Sequence, residues 1–156
     1  MEMLTLRPVR RADLPALLSM VQALARHHGD DPRATVDTLA RDLFGRDRWV
    51  RGLVACNGPV LLGYALLMPL LRAHYGQRGM DLHHLFVVDH ARGRGVGRAL
   101  IAAAHATARS AGASYLSVGT HPDNLFAAKV YLACGFAPVP MAGLRFTLAI
   151  EPARVG

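Results

Sequence analysis

The chain has 156 residues, 52% of them hydrophobic, enough for one sizeable core, so residues 1–156 are read as a single domain. No apolar run approaches the roughly 18 to 20 residues of a bilayer span, and the longest, residues 60–71, is broken by Gly63 and Pro69, which argues against a membrane protein. The net charge of +7 comes from 18 basic against 11 acidic residues, and 17 of the 18 are arginines scattered along the whole chain, so no single basic stripe marks a nucleic-acid partner.

Glu2, Arg7, Arg10 and Arg11 stand where a signal peptide would need an apolar centre, and a cytoplasmic location is expected. Cys56 and Cys134 are too few for a disulfide framework and lack metal-ligand spacing, so both are read as reduced thiols.

In chain order, alternation over residues 3–9 predicts a first strand. Asp13 fits a helix N-cap with Pro15 in the first turn. Leu14, Leu17, Leu18, Val21 and Leu24 then repeat at helical spacing up to Gly29. Residues 35–44 predict a second helix, with Val36, Leu39, Ala40 and Leu43 on one face and Gly45 as its stop. The apolar runs 49–56 and 60–68 are joined by Asn57 and Gly58, the pair most typical of a hairpin turn. A loop with Tyr75, Gly76 and Gly79 follows, then a strand over residues 81–88 with Leu85 and Val87 on one face and Phe86 and Val88 on the other. The remainder predicts an alanine-rich helix (96–111), a strand (114–119), a helix (124–134) ended by Gly135, and a last strand (144–150). This order implies a mixed sheet covered by about four helices.

The run Arg92, Gly93, Arg94, Gly95, Val96, Gly97, Arg98 lies between a buried strand and a helix start, where backbone N–H groups are unpaired and the helix dipole is positive. Such a turn suits a pyrophosphate; a tight turn with no ligand is the plainer alternative. A dinucleotide loop of the form GxGxxG would need glycine in place of Arg98, and a GxxxxGK[ST] loop would need a lysine, which this turn lacks. A second group, Asn124, Ala127, Tyr131, Gly135 and Phe136, puts Asn124 and Tyr131 seven residues apart, on one helix face. Taken alone, Asn124 fits an N-cap equally well and Tyr131 a half-buried aromatic.

Together, in this order, the two groups resemble the GNAT superfamily of acyl-CoA-dependent N-acetyltransferases. Its first motif, Gln or Arg followed by xxGxG, is met by Arg92, Gly95 and Gly97 after the strand Leu85, Phe86, Val87, Val88; its second is met by Asn124, Ala127, Tyr131, Gly135 and Phe136. The resemblance implies a GNAT fold, a homodimer, and acetyl-CoA as cosubstrate with no metal. Leu85, Phe86 and Val87 would pair with the pantetheine arm, and Gly93 to Arg98 would hold the pyrophosphate. Tyr131 would protonate the leaving thiolate, and the acceptor amine would attack the thioester directly. A phenol of pKa about 10 is protonated at neutral pH and can serve so. An alkylammonium of pKa about 10.4 must also lose a proton before it attacks, so a base is needed.

His83 and His84 are the base candidates, because histidine titrates near neutrality, and strand alternation predicts that they point to opposite faces. His121 is a further candidate, and His27 and His28 suit either the C-terminal dipole of the first helix or substrate contact. Adjacent histidine pairs with no Cys or carboxylate cluster give no support for a metal.

Within the superfamily the chain looks most like the spermidine/spermine acetyltransferase branch, at Leu24 to His28, Tyr75 and Gly76, Leu82 to Val87, and Leu144 to Phe146. Where that branch carries acids facing a polycation, this chain has His28, His83 and His84. The expected acceptor is therefore the primary amine of a small molecule other than a polyamine, unless Asp30, Asp31 or Asp81 turns inward. The alternatives are a non-catalytic acyl-CoA-binding module and an acetyltransferase for protein or peptide amines.

Overall fold

The first strand, β1 (Leu4–Pro8), pairs antiparallel with β2 (Arg51–Asn57), and β2 turns through Gly58, at φ +57°, into β3 (Val60–Arg72). β3 in turn pairs antiparallel with β4 (Gln77–Val87), and β4 pairs parallel with β5 (Tyr115–Val118), so the strands lie in sequence order in one mixed sheet. The structure is a computed structural model, and it describes residues 3–141 and 143–152.

Helices α1 (Leu14–His27) and α2 (Val36–Phe44) cover one face of the sheet, where Leu14, Leu17, Met20, Val21, Leu39 and Leu43 pack on Val54, Tyr64, Leu66 and Phe86. The other face takes α3 (Val96–Ser110), whose Val96, Leu100, Ile101, Ala104 and Ala108 form a single apolar stripe against Leu53, Ala65, Leu67, Met80 and Leu82. The small side chains of that stripe let the helix lie close to the strands. Helix α4 (Leu125–Ala133) adds Val130 and Tyr131 to the edge of this second core.

Four expectations are corrected. The loop expected between the third and fourth strands is mostly strand, because β3 and β4 keep a paired register out to Arg72 and Gln77 and turn through Gly76, at φ +64°. Asp13 stands at the N-cap of α1 with Pro15 in the first turn, as expected, but its side chain does not cap the helix. Its carboxylate turns back to accept from the Arg10 N–H (2.7 Å) and from both ends of the Arg7 guanidinium (2.7 and 2.9 Å), and this pairing holds its pKa below the usual carboxylate value. The strand expected over residues 144–150 does not form: Leu144, Phe146, Leu148 and Ile150 are 86–92% exposed. Alternation alone makes no strand, because a strand needs a neighbour for its N–H and C=O groups, and none flanks this segment among the described residues. The fourth correction concerns His83 and His84 and belongs to the site.

β4 is eleven residues long, but β5 pairs only with Gly79 through Leu82, so the edge of β4 from His83 onward has no strand beside it among the described residues. The divergence starts from a firm junction. Gly79 sits directly against the Tyr115 ring, and the Arg72 guanidinium lies over that ring at 4.1 Å.

Candidate active site

Two features meet at the open edge of β4. The first is the turn into α3. Gly93 (φ +73°) and Gly95 (φ +84°) both take the left-handed conformation, and Gly95 is the N-cap of a 15-residue helix that has no side-chain cap and no acidic residue in its first turn. A Cβ built at either glycine would meet nothing within 4 Å, so the space above this positive helix end is open. Backbone amides, local dipole and open approach together fit a phosphate group. Arg94 and Arg98 are exposed around the turn. Arg92 has a bracing function: its Nε donates to the Val87 carbonyl at 3.0 Å, its Nη1 lies 3.0 Å from Asp89 Oδ1, and its guanidinium stands 5.8 Å from the Phe86 ring centre. It ties the turn to the end of β4. Val96 is buried in the core, and a Cβ built at Gly97 would come into ordinary contact with Val87 at 3.8 Å.

The second feature is a bulge. Leu66 pairs with His84 while Leu67 pairs with Leu82, so His83 is an extra residue in β4. Met80 and Leu82 face α3, and without the bulge His84 would follow them. The inserted residue reverses the alternation: His84 joins Phe86 on the α1 and α2 side, and Leu85 and Val87 face α3. The expectation of opposed histidines is therefore overturned, since the two rings stack with centroids 4.7 Å apart and planes 15° apart. The faces expected for Leu85, Phe86 and Val87 are as observed.

Around this pair the structure gathers groups that sequence spacing could not connect. The Tyr64 hydroxyl, on β3 and fully buried, lies 3.1 Å from His84 Nδ1. Burial pushes the phenol pKa well above its ordinary value, so Tyr64 remains a proton donor. Burial, reinforced by the nearby His83 and His28, pushes His84 down to about 4, so its imidazole is neutral at pH 7. His83 is half-exposed, with Nδ1 4.0 Å from Asp81 Oδ2. Burial raises the Asp81 carboxyl pKa, while His83 and a hydrogen bond from Ser117 on β5 oppose the rise. Tyr64 and Ser117 were missed as site residues because cross-strand register alone brings them there.

Tyr131 packs into the α3 core with Phe136 edge-on at 5.7 Å, and burial raises its pKa, so it is a phenol at neutral pH. It thus lies on the α3 face of the sheet, opposite the face that carries the imidazoles. Asn124 caps α4, its Oδ1 accepting from the Ala127 N–H at 3.1 Å. His121 is exposed at the start of the α4 loop, 3.6 Å from Asp123, and Asp31 pairs with Arg33 at 3.5 Å on the exposed loop after α1. Among the described residues, no cluster of three His, Cys, Asp or Glu could hold a metal ion, and no helix is long and apolar enough to cross a membrane.

A sheet that splits between its fourth and fifth strands, beside a glycine turn at a helix N-terminus, is the architecture of acyl-CoA acetyltransferases. The acetyltransferase (GNAT) family model matches residues 17–136, and the chain belongs to that family. Among solved structures, a "probable acetyltransferase" aligns with a TM-score of 0.83 at 22% identity, covering 94% of this chain and 99% of that one. An aminoglycoside N-acetyltransferase, AAC(6')-Iy, in complex with CoA aligns at 0.80 and 19% identity, covering 94% and 96%. A ribosomal-protein-alanine N-acetyltransferase from Brucella melitensis biovar Abortus aligns at 0.72 and 21% identity, covering 92% and 100%. These likenesses establish the fold. A comparison with curated proteins finds no significant match.

Proposed function

We propose that this chain binds acetyl-CoA along the open edge of β4 and transfers the acetyl group directly to a primary amine of a small molecule other than a polyamine. The observation that carries the proposal is the conjunction of a strand edge at residues 83–87 that has no strand beside it among the described residues with a helix N-terminus at Gly95 that has no side-chain cap, because an extended amide-bearing arm ending in a pyrophosphate needs both. Leu85, Phe86 and Val87 offer backbone to the arm, and Gly93, Arg94, Gly95, Val96, Gly97 and Arg98 surround the phosphates. Arg92 braces that turn and Asn124 caps α4, which leaves each a supporting role.

In the reaction the neutral amine nitrogen attacks the thioester carbonyl, a C–N bond forms, and the C–S bond breaks. The electron pair leaves on sulfur, which takes a proton from the Tyr131 hydroxyl; the acylated nitrogen sheds its extra proton to solvent as the amide forms, and a solvent proton restores the Tyr131 phenol. The acceptor ammonium gives up its own proton on the imidazole side of the sheet. Both proton-handling groups are thus supplied by side chains, and no covalent enzyme intermediate is required.

The acceptor preference rests on charge. Asp81 does turn inward, toward His83, but among the described contacts it is a single carboxylate beside the imidazoles of His28, His83 and His84, and Ser117 and His83 already engage it. A polycation would be desolvated there against too little negative charge. The titles of the structural neighbours span both small-molecule and protein amines, so the charge argument, and not the likeness, favours a small acceptor.

The same proposal includes a homodimer, for which the row of exposed apolar residues at 144, 146, 148 and 150 is the support, and a cytoplasmic location, consistent with the free thiols Cys56 and Cys134. An amine panel scored by release of free CoA tests the acceptor. Single-amine compounds should be turned over in preference to spermidine, whereas efficient spermidine acetylation abolished by Asp81→Asn would overturn the acceptor class.

A further inference from the structure

We infer that His83, set at the bulge beside Asp81 and stacked on the more deeply placed His84, is the catalytic base that takes the proton from the acceptor amine. The inference rests on the acetyltransferase proposal above and deepens it, because the two histidines are neighbours in sequence and only their surroundings separate their roles.

The bulge does the sorting. His83 is the inserted residue and the first in β4 beyond the last β5 pair, Leu82 with Val118, so it stands where the sheet opens. Its ring is half-exposed on the face away from α3. His84 lies one step deeper and hydrogen-bonds the fully buried Tyr64 hydroxyl. When the Tyr64 hydroxyl donates to Nδ1, His84 carries its proton on Nε2. A proton added to His84 would be buried and would face His83 and His28. His84 is therefore unsuited to collecting protons, but well suited to supporting a ring that does: a neutral imidazole stacked on His83 avoids the repulsion that two imidazolium rings at 4.7 Å would suffer.

The groups facing His83 are Asp81 and His84 on its own strand, with Ser117 of β5 reaching it through Asp81 and His28 at the end of α1 completing the imidazole cluster. Asp81 is the only carboxylate that the described contacts place on the pair. Ionised, it favours the imidazolium that forms when the amine proton arrives; Ser117 holds it in place. Asp81 is accordingly a positioning residue, and Tyr64 and His84 position the ring from below. The proton passes from the acceptor ammonium to a ring nitrogen of neutral His83, leaving an imidazolium beside a carboxylate and a neutral amine ready to attack.

The test is the pH dependence of kcat/KM with the best acceptor from the amine panel, measured on the whole chain and on four variants. His83→Gln should lower kcat/KM roughly 100- to 10,000-fold and remove the limb of the profile that rises with pH, with acetyl-CoA affinity unchanged. His84→Gln, which can still accept from Tyr64, and Tyr64→Phe should retain that limb. Asp81→Asn should lower kcat/KM while retaining the limb, as expected of a positioning residue. A limb that survives His83→Gln and disappears in His84→Gln would overturn the assignment.

A second readout does not depend on turnover. In an NMR titration of the histidine ring protons, His84 should stay uncharged down to about pH 4; a His84 that charges near neutrality would overturn the assignment even if the kinetic variants fold poorly. If acetyl-CoA binds but the unmodified chain releases no CoA with any amine, the acetyltransferase proposal itself fails, and the base assignment fails with it. If turnover is normal and only the His83→Gln profile is unaltered, the base assignment fails alone.

Discussion

Replacing His84 by glutamine should make the fold less sensitive to acid. In the folded chain its pKa falls from 6.5 to about 4, because the ring is buried against Tyr64 with His83 and His28 nearby. A group whose pKa is depressed by folding contributes stability that is complete above its unfolded value and is lost as the pH falls through the folded one. The window here therefore runs from about pH 6.5 down to about pH 4, and at 1.36 kcal/mol per unit the contribution at stake is about 3 kcal/mol. The assay is chemical denaturation of the unliganded protein at half-unit steps between pH 4 and 7.5. Subtracting the His84→Gln curve from that of the unmodified chain removes groups that titrate alike in both, including Asp13, whose lowered pKa places its own loss at the acid end. The difference should be flat above pH 7 and should slope by up to about 3 kcal/mol toward pH 4. Parallel curves would refute a buried, neutral His84.

Three further outcomes are expected. Gly95→Val forces a β-branched residue into a left-handed backbone and fills the open space over the α3 N-terminus; losing one or two charge-assisted backbone bonds to phosphate, at about 1.5 to 3 kcal/mol each, should weaken acetyl-CoA binding at least 10-fold by calorimetry, and unchanged affinity in a folded variant would remove the site. Tyr131→Phe should lower turnover roughly 10- to 10,000-fold while acetyl-CoA still binds, and intact turnover would reduce Tyr131 to a packing residue. Phe146→Asp should shift the sedimentation coefficient from dimer to monomer by placing a charge in the exposed apolar row, and a monomeric parent protein would contradict the dimer.

Most of the architecture was legible because it rests on local signals. Gly58, Gly112 and Gly135 punctuate where turn chemistry requires, and the α3 stripe repeats at helical period. The turn before α3 was legible for the same reason: glycines with positive φ and a helix start are short-range facts. The illegible parts depend on register. Nothing in the order Leu82, His83, His84, Leu85 announces a bulge, because the extra residue is defined only by the partner strand, and so simple alternation separated two rings that in fact stack. Tyr64 lies 20 residues from His84 and reaches it only through that pairing. The failure at residues 144–150 is the converse, since alternation was present and, among the described residues, a partner strand was not. Asp13 shows competition between local and longer contacts: a good capping residue bonded instead to Arg7 on the neighbouring strand.

The most direct measurement of the central claim is a single reaction of the purified chain with acetyl-CoA and the best single-amine acceptor, following free thiol by colour and the acceptor by mass spectrometry. Release of one CoA for each acceptor molecule that gains one acetyl group, with both signals abolished together in Gly95→Val, is the predicted result. Binding of acetyl-CoA with neither thiol release nor acetylated acceptor, across primary amines of every charge class, would contradict it and leave a binding module in place of an enzyme.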